Sequence, residues 1–466
     1  MPDAALLARL QFAFTVSFHI IFPTISIGLA LFLAVFEGLW LKTKDAVYLQ
    51  IYKFWLHIFA MAFGVGVVTG IVLSFEFGLG FAKFSKMAGP IIGPLIGLEV
   101  LTSFFLEAGF LGIMLFGLNR VGPRLHFFAT CMVALGTVLS SSWIMAANSW
   151  MQTPDGVAWV NGQLVVTDWW RVIMNPSWLT RLIHMLFSAY LTGSFLIAGV
   201  GAWHLLKNKH LAFARRTVSL GLAFAAVLIA GEMFIGDILY GTMAKYQPAK
   251  MQAAEGIWDK QSASPAPYLL MIIPDQKNQR NAFEAGVPGL GSIWLTHSLN
   301  GRVEGLQNTP VPDQPLMGWV FYGFRMMFLI AFAMFGLAAA SLWLRWRGKL
   351  FSTRWFLVAL VWMTPSGILA TLGGWYGSEV GRQPYVIYGL LRTADAISPV
   401  PAGSLLTSLM AFIIIYSIIF AAFLVFVMRA IRRGPHEPVD VPVPSGSLKR
   451  ALRSQIKTSV LEKKQI

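Results

Sequence analysis

The stretch RLQFAFTVSFHIIFPTISIGLALFLAVFEGLW, residues 9–40, decides the fold. From Phe12 to Trp40 its only ionisable side chains are His19 and Glu37, in a run longer than the ~20 residues a helix needs to cross a bilayer. No small-residue cleavage site follows Arg9, so the run reads as a first transmembrane span, not as a removable leader. Eight further spans follow, at about 54–80, 91–118, 125–149, 178–205, 217–241, 318–344, 355–376 and 404–429. Backbone polar groups in lipid must be satisfied inside the segment, which spans of this length achieve as α-helices. The sequence therefore predicts an all-α polytopic membrane protein of about nine transmembrane helices.

Composition agrees. Of 466 residues 56% are hydrophobic and 12% charged, with a mean hydropathy of +0.64. A soluble domain carries about 25% charged residues, so a soluble or disordered chain is excluded. The formal charge of +15 is not spread evenly. The connections 41–53, 119–124, 206–216 and 345–354 and the tail from Arg429 hold 22 of the 36 Lys and Arg, against four acids. These segments alternate along the chain, and the positive-inside rule assigns them to the cytoplasm. The expectation is an N-terminus outside and a cytoplasmic C-terminus. The long connections 150–177 and 242–317 then lie outside. The chain divides into a transmembrane domain, 1–430, and a basic cytoplasmic tail, 431–466. Basic charge so placed serves topology and contact with anionic lipid, not nucleic acid. The lone Cys131 permits neither a disulfide framework nor a Cys-x-x-Cys haem attachment.

Ionisable residues at membrane depth are costly and mark cofactors, ion routes or proton relays. The spans contain His19, Glu37, His57, Glu76, Glu99, Glu107, His184, Glu232, Asp237, Arg325 and Glu379. Taken singly, each has a duller reading as a partnered or interfacial side chain, and a lone Met is ordinarily packing. Depth sharpens the picture. His19, Glu99, His184 and Met327 lie about 7 to 9 residues into helices entering from outside, roughly 10–14 Å down at ~1.5 Å per residue. Glu379 sits near the same face on a helix running outward. Five potential axial ligands thus gather in the outer half of the membrane, and His with Met is a pair that makes low-spin, electron-transferring haem. Glu107 lies two turns deeper than Glu99, and an offset of eight residues leaves both carboxyls on one broad face. Such a ladder suits proton supply from the cytoplasm.

These residues sit in segments that resemble subunit I of the cytochrome bd-type quinol oxidases. The segments are RLQFAFTVSFH at 9–19, GLEVLTSFFLE around Glu99 and Glu107, WIMAANSWMQ at 143–152, RLIHMLFSAY around His184, GFRMMF around Met327 and GWYGSEVGRQPY at 374–385. The resemblance runs from Leu7 to about Met428. It implies a bacterial plasma (inner) membrane protein that oxidises quinol outside and reduces O2 to water with protons taken from the cytoplasm, electrogenically and without a pump. His184 and Met327 would be axial ligands of a low-spin haem b. His19 and Glu379 would serve two high-spin haems with Glu99 beside them, one a haem b and the third a haem d or haem b. Trp375, Arg325, Arg382 and Gln383 would form the haem environment, the arginines as propionate partners or local charge compensators. Glu107, Glu99 and Ser140 would carry protons inward. Lys250 and Glu255 on the external loop 242–317, with Asp237 where the sixth helix ends in GDILYG, would bind ubiquinol or menaquinol; without the resemblance that loop reads as a solvated face. Implied partners are a subunit II, a small one-helix subunit and membrane lipid. The short loop, and Tyr385 where many members have tryptophan, look like the cyanide-insensitive branch, in which haem b can replace haem d.

Two other classes compete with this reading. A haem b subunit that only passes electrons would keep His184 and Met327 but need no His19, Glu99 or Glu379. A secondary transporter would use the buried carboxylates for coupling and would ordinarily show an internal repeat, of which the sequence has no convincing sign.

Overall fold

The computed structural model describes residues 3–436. In chain order the long helices are α1 (Ala4–Thr43), α2 (Ala46–Gly80), α3 (Ala82–Phe116), α4 (Pro123–Gln152), α5 (Trp178–Leu206) and α6 (Leu211–Tyr246). The short α7 (Pro248–Glu255) precedes α8 (Met317–Trp346); α9 (Arg354–Trp362) and α10 (Ser366–Val380) follow, then α11 (Ala402–Arg433). Among the described residues eight helices are long and apolar enough to cross a membrane, and α9 with α10, bent by 43° at the break between them, meet that length and polarity only as a pair. The bend falls at Pro365, which has no N–H to donate and whose ring crowds the preceding turn. The expected helical membrane fold is the one observed. Of the basic tail expected over 431–466, residues 437–466 lie outside the described part.

Several helices begin well before the apolar runs. The spans expected at about 12–40 and 54–80 extend back to Ala4 and Ala46, where Asp3 and Asp45 accept from the amides of Ala5 and Val47 at 3.4 and 3.0 Å. Hydropathy marks the part of a helix in hydrocarbon; a capping side chain marks where it starts.

Three antiparallel hairpins add to the helices: β1 (Val157–Val160) with β2 (Gln163–Val166), β3 (Tyr268–Asp275) with β4 (Arg280–Val287), and β5 (Tyr385–Ile387) with β6 (Leu391–Arg392). The first turns through Asn161-Gly162, both at positive φ, the combination a two-residue hairpin turn demands. The third directly follows the helix that carries Glu379.

Lipid tails are as apolar as leucine, so helices in a membrane associate through close packing rather than exclusion of water. Here glycines set the approach. A Cβ on Gly28 of α1 would lie 2.9 Å from the Gly193 nitrogen of α5, and one on Gly373 of α10 would lie 2.8 Å from the Gly323 carbonyl oxygen of α8. The second crossing brings Met327 and the α10 residues Trp375 and Glu379 to one place. Around the first, Phe22, Phe32, Phe36, Phe59, Phe195 and Phe213 are fully buried.

Candidate functional site

Side chains from eight of the long helices and from the short α7 surround one cavity of about 1390 Å³. That exceeds the ~300–1,000 Å³ typical of a pocket for one small ligand. His19, Glu99, His184, Met327 and Glu379 all line it, as do Glu107, Trp375, Arg382, Gln383, Ser140, Asp237 and Lys250. Not every intramembrane acid faces it. Glu37 is committed to His126 Nδ1 at 2.6 Å and to the Thr130 hydroxyl at 2.6 Å, a fully buried link between α1 and α4. Glu76 accepts from Gln11 at 2.9 and 3.0 Å.

The two cavity histidines share one arrangement. His19 Nδ1 lies 2.9 Å from the Thr69 hydroxyl, which itself donates to the Val65 carbonyl at 2.9 Å and so accepts from the ring. Nδ1 thus carries the proton, and Nε2 keeps a free lone pair. His184 Nδ1 lies 3.2 Å from Glu232 Oε1, an ion-pair distance. Metal-ligating histidines are held in this way, with the second nitrogen against an oxygen that fixes the ring. Met327 has its sulfur against Gly374, where any Cβ would come within 2.6 Å of Sδ. Gly70 similarly faces the His19 ring, with a Cβ contact of 3.2 Å to Cε1. The donor set and its glycine cradles fit haem.

Glu379 is less available than expected for a ligand. Its Oε1 accepts from Asn148 at 3.0 Å and Gln152 at 2.9 Å, and its Oε2 accepts from Arg382 at 2.5 Å. One lone pair of Oε2 remains. Arg382 has its Nε and Nη1 groups buried without partners. Arg181, which sequence reasoning missed, stands beside it with an unpartnered Nε, donating through Nη1 to Ser378 at 3.0 Å. Buried guanidinium N–H groups without acceptors suit the carboxylates of a bound group. The readable signal for Arg181 was an arginine one turn before His184 in an apolar span.

Arg325 does not reach the cavity as expected. It pairs with Glu255 at 3.1 Å, donates to the Leu269 carbonyl at 2.7 Å and lies 4.2 Å over the Tyr268 ring. Both ion-pair partners are 2% exposed. Glu255 is correspondingly buried beside Arg325, whereas Lys250 lines the cavity. The expectation of a solvated loop face fails here, because α7 packs its polar side chains inward. Lys250 Nζ donates to Gln152 and Gln247, each at 2.5 Å. Burial, with Arg181 and Arg382 near, holds its ammonium well below the usual lysine range despite the opposing pull of Glu379. Burial likewise pushes the Glu255 carboxyl up against the opposing Arg325 charge. Asp237 is half exposed, 3.4 Å from His297. Gln383 accepts from Thr393 at 2.8 Å and, with Trp375, forms part of the wall.

Glu99 and Glu107 both point at α4. Ser140 donates to Glu99 at 2.7 Å, and Glu107 packs against Gly136 one turn away. Between them Val100–Phe104 form a π-helical turn that the sequence did not reveal. In an unbroken α-helix eight residues turn through roughly 80°; the π turn absorbs one residue, ~100°, and brings the two carboxyls within roughly 20° of one line.

The sequence matches the family described as cytochrome bd terminal oxidase subunit I over residues 7–435. It is 36% identical to the cytochrome bd ubiquinol oxidase subunit 1 of Bacillus subtilis (strain 168), covering 94% of this chain and 96% of that protein. It is 30% identical to the cytochrome bd-II ubiquinol oxidase subunit 1 of Escherichia coli (strain K12), covering 93% and 98%. The fold matches the bd oxidase structure from Geobacillus thermodenitrificans with a TM-score of 0.85 at 30% identity, covering 93% of this chain and 99% of that one.

Proposed function

The chain belongs to the cytochrome bd terminal oxidase subunit I family, and from that premise we propose that it is the haem-bearing subunit of a bacterial quinol:O2 oxidoreductase. The observation that carries this reading is the shared arrangement of His19 and His184. Each has Nδ1 within 3.2 Å of an oxygen, and both face a cavity that also holds Met327.

His184 and Met327 would hold a low-spin haem b. His19, with Glu99 and the remaining lone pair of Glu379, would hold two high-spin haems, a haem b and a haem d or second haem b. When bound, haem supplies one-electron transfer and the oxygen chemistry. The unpartnered N–H groups of Arg181 and Arg382 would hold its carboxylates, and Trp375 and Gln383 would line the wall beside it. Arg325 acts at one remove, as the charge that opposes the rise burial imposes on the Glu255 carboxyl.

Lys250 and Glu255 of the loop 242–317, with Asp237 near the end of α6, bind ubiquinol or menaquinol. Glu255, its affinity for protons raised by burial, accepts the hydroxyl proton that quinol loses. Protons for water enter from the cytoplasm along Glu107, Glu99 and Ser140. The basic loops place the N-terminus and the quinol loop outside the plasma membrane and the tail 431–466 inside. Release and uptake on opposite faces make turnover electrogenic without pumping. Exposed apolar side chains such as Phe75, Leu101, Phe105, Ile414 and Ile418 face lipid, a subunit II of the oxidase and a small one-helix subunit.

Two variants test the reading. Met327→Leu should abolish the low-spin band of the reduced-minus-oxidised spectrum, and an unchanged spectrum would refute the ligand assignment. His19→Ala should abolish quinol-driven oxygen consumption while sparing the low-spin band; retained oxygen consumption would favour a subunit that only passes electrons.

A further inference from the structure

We infer that Glu232 is the positioning residue of His184. It fixes the imidazole ring for iron and places negative charge behind the ligating nitrogen. The inference rests on His184 being an axial ligand.

Glu232 sits in the middle of α6, 8% exposed, in a helix with no lysine or arginine between Arg216 and Lys245. A carboxyl at that depth is costly unless another group uses it. Its Oε1 lies 3.2 Å from His184 Nδ1, close enough to pair in charge though not aligned as a hydrogen bond, and Nδ1 and Oε2 are both buried with no other partner. A carboxyl kept for helix packing would be saturated, as Glu37 is by His126 and Thr130. Glu232 instead presents one oxygen to one ring nitrogen.

The backbone around it is built for that approach. A Cβ on Gly231 would come within 2.7 Å of the Phe187 ring, and one on Gly236 would lie 3.8 Å from His184 Cε1. These glycines flank Glu232 on α6 and let α5 pack close enough for the side chain to reach the ring. Both residues line the cavity, so Nε2 is the nitrogen left for iron.

The consequence is electrostatic as well as geometric. A carboxylate behind Nδ1–H draws the proton toward itself and makes Nε2 a stronger donor. In a low-dielectric interior its charge also favours the ferric over the ferrous ion, since the ferric state carries one more positive charge. Both effects lower the midpoint potential of the low-spin haem. Removing the charge while keeping a hydrogen-bonding group raises it.

The experiment compares Glu232→Gln, Glu232→Asp and His184→Ala in the assembled oxidase. Each is followed by redox titration of the low-spin band, with haems counted by pyridine haemochrome. Glu232→Gln should keep its haems and shift the low-spin midpoint upward, leaving the high-spin midpoints in place. Glu232→Asp, which retains the charge, should lie between the two. A Gln variant at the parent potential overturns the inference. If the Gln variant fails to assemble, Glu232→Ala takes its place, and an Ala variant at the parent potential overturns the inference instead. His184→Ala separates the two readings. Loss of the low-spin band there, with no shift in the Glu232 variants, sinks only the positioning role; a retained band sinks the ligand assignment beneath it.

Discussion

The Ser140 hydroxyl on α4 donates to the Glu99 carboxyl on α3 across 2.7 Å, and one turn along the same face of α4 Gly136 packs directly against Glu107. One helix thus holds both acids of the expected proton route, one by a hydrogen bond and the other by having no side chain in its way.

A methyl group at position 136 would occupy the space of the Glu107 Cγ. Gly136→Ala should displace that carboxyl and slow oxygen consumption by roughly tenfold or more, since a positioned proton-transfer group contributes about 10²–10⁴. The haem spectrum should stay as in the parent. An oxygen electrode and one optical spectrum check both halves; full activity would remove Glu107 from the route.

Gly374 is equally intolerant. A Cβ there would lie 2.6 Å from Met327 Sδ, so Gly374→Ala should push the thioether away and convert part of the low-spin haem to high-spin. The reduced-minus-oxidised spectrum reads this directly. A parent-like low-spin band would mean that Met327 does not need its present position.

The ion pair of Arg325 and Glu255 is 2% exposed on both sides. Arg325→Met strands a buried carboxylate, at a cost of about 3–5 kcal/mol, and should lower the thermal midpoint of the assembled oxidase markedly. The double variant Arg325→Met/Glu255→Leu should recover most of that loss, since no charge is then left unpaired. A double variant as unstable as the single one would show that the pair's geometry, not its charge balance, holds α7 to α8.

Lys250 gives a pH signature. Its ammonium is held well below the ordinary range by burial and neighbouring cations, so between that lowered value and about 10.4 the unfolded chain binds more protons than the folded one. Stability contributed at this site therefore rises with pH across that window and falls as pH drops. Lys250→Met lacks the dependence. Its thermal midpoint relative to the parent should become more favourable as pH is lowered from 10 toward 7. A difference that is flat with pH would mean that the ammonium is not destabilised in the fold.

The helices, and the gathering of His19, Glu99, His184, Met327 and Glu379 on one cavity, were legible because both are written locally: apolar runs longer than a bilayer, and histidines, methionine and acids at matching depth within them. What was missed depends on contacts between distant segments or on backbone detail. Lys250 and Glu255 stood out only through the family resemblance, because a short helix has no visible partner in its own sequence; its burial comes from α8 and from Gln152 on α4. Glu232 was visible as a costly intramembrane acid, but only packing pairs it with His184. Two features carried signals that went unread. Asn161-Gly162 between Val and Leu runs is a strong hairpin signature, and Pro365 marks the break in the eighth of the nine expected spans.

The π turn at Val100–Phe104 leaves no trace in composition, yet it imposes a counting constraint on the gene. Deleting one codon within those five would remove the extra residue and restore a continuous α-ladder together, leaving seven residues, ~700°, between the two acids and Glu107 still headed for α4. A change that straightened the turn at its full length would instead swing everything beyond it by about 100°. The stretch should therefore tolerate the loss of one residue better than the loss of its bulge.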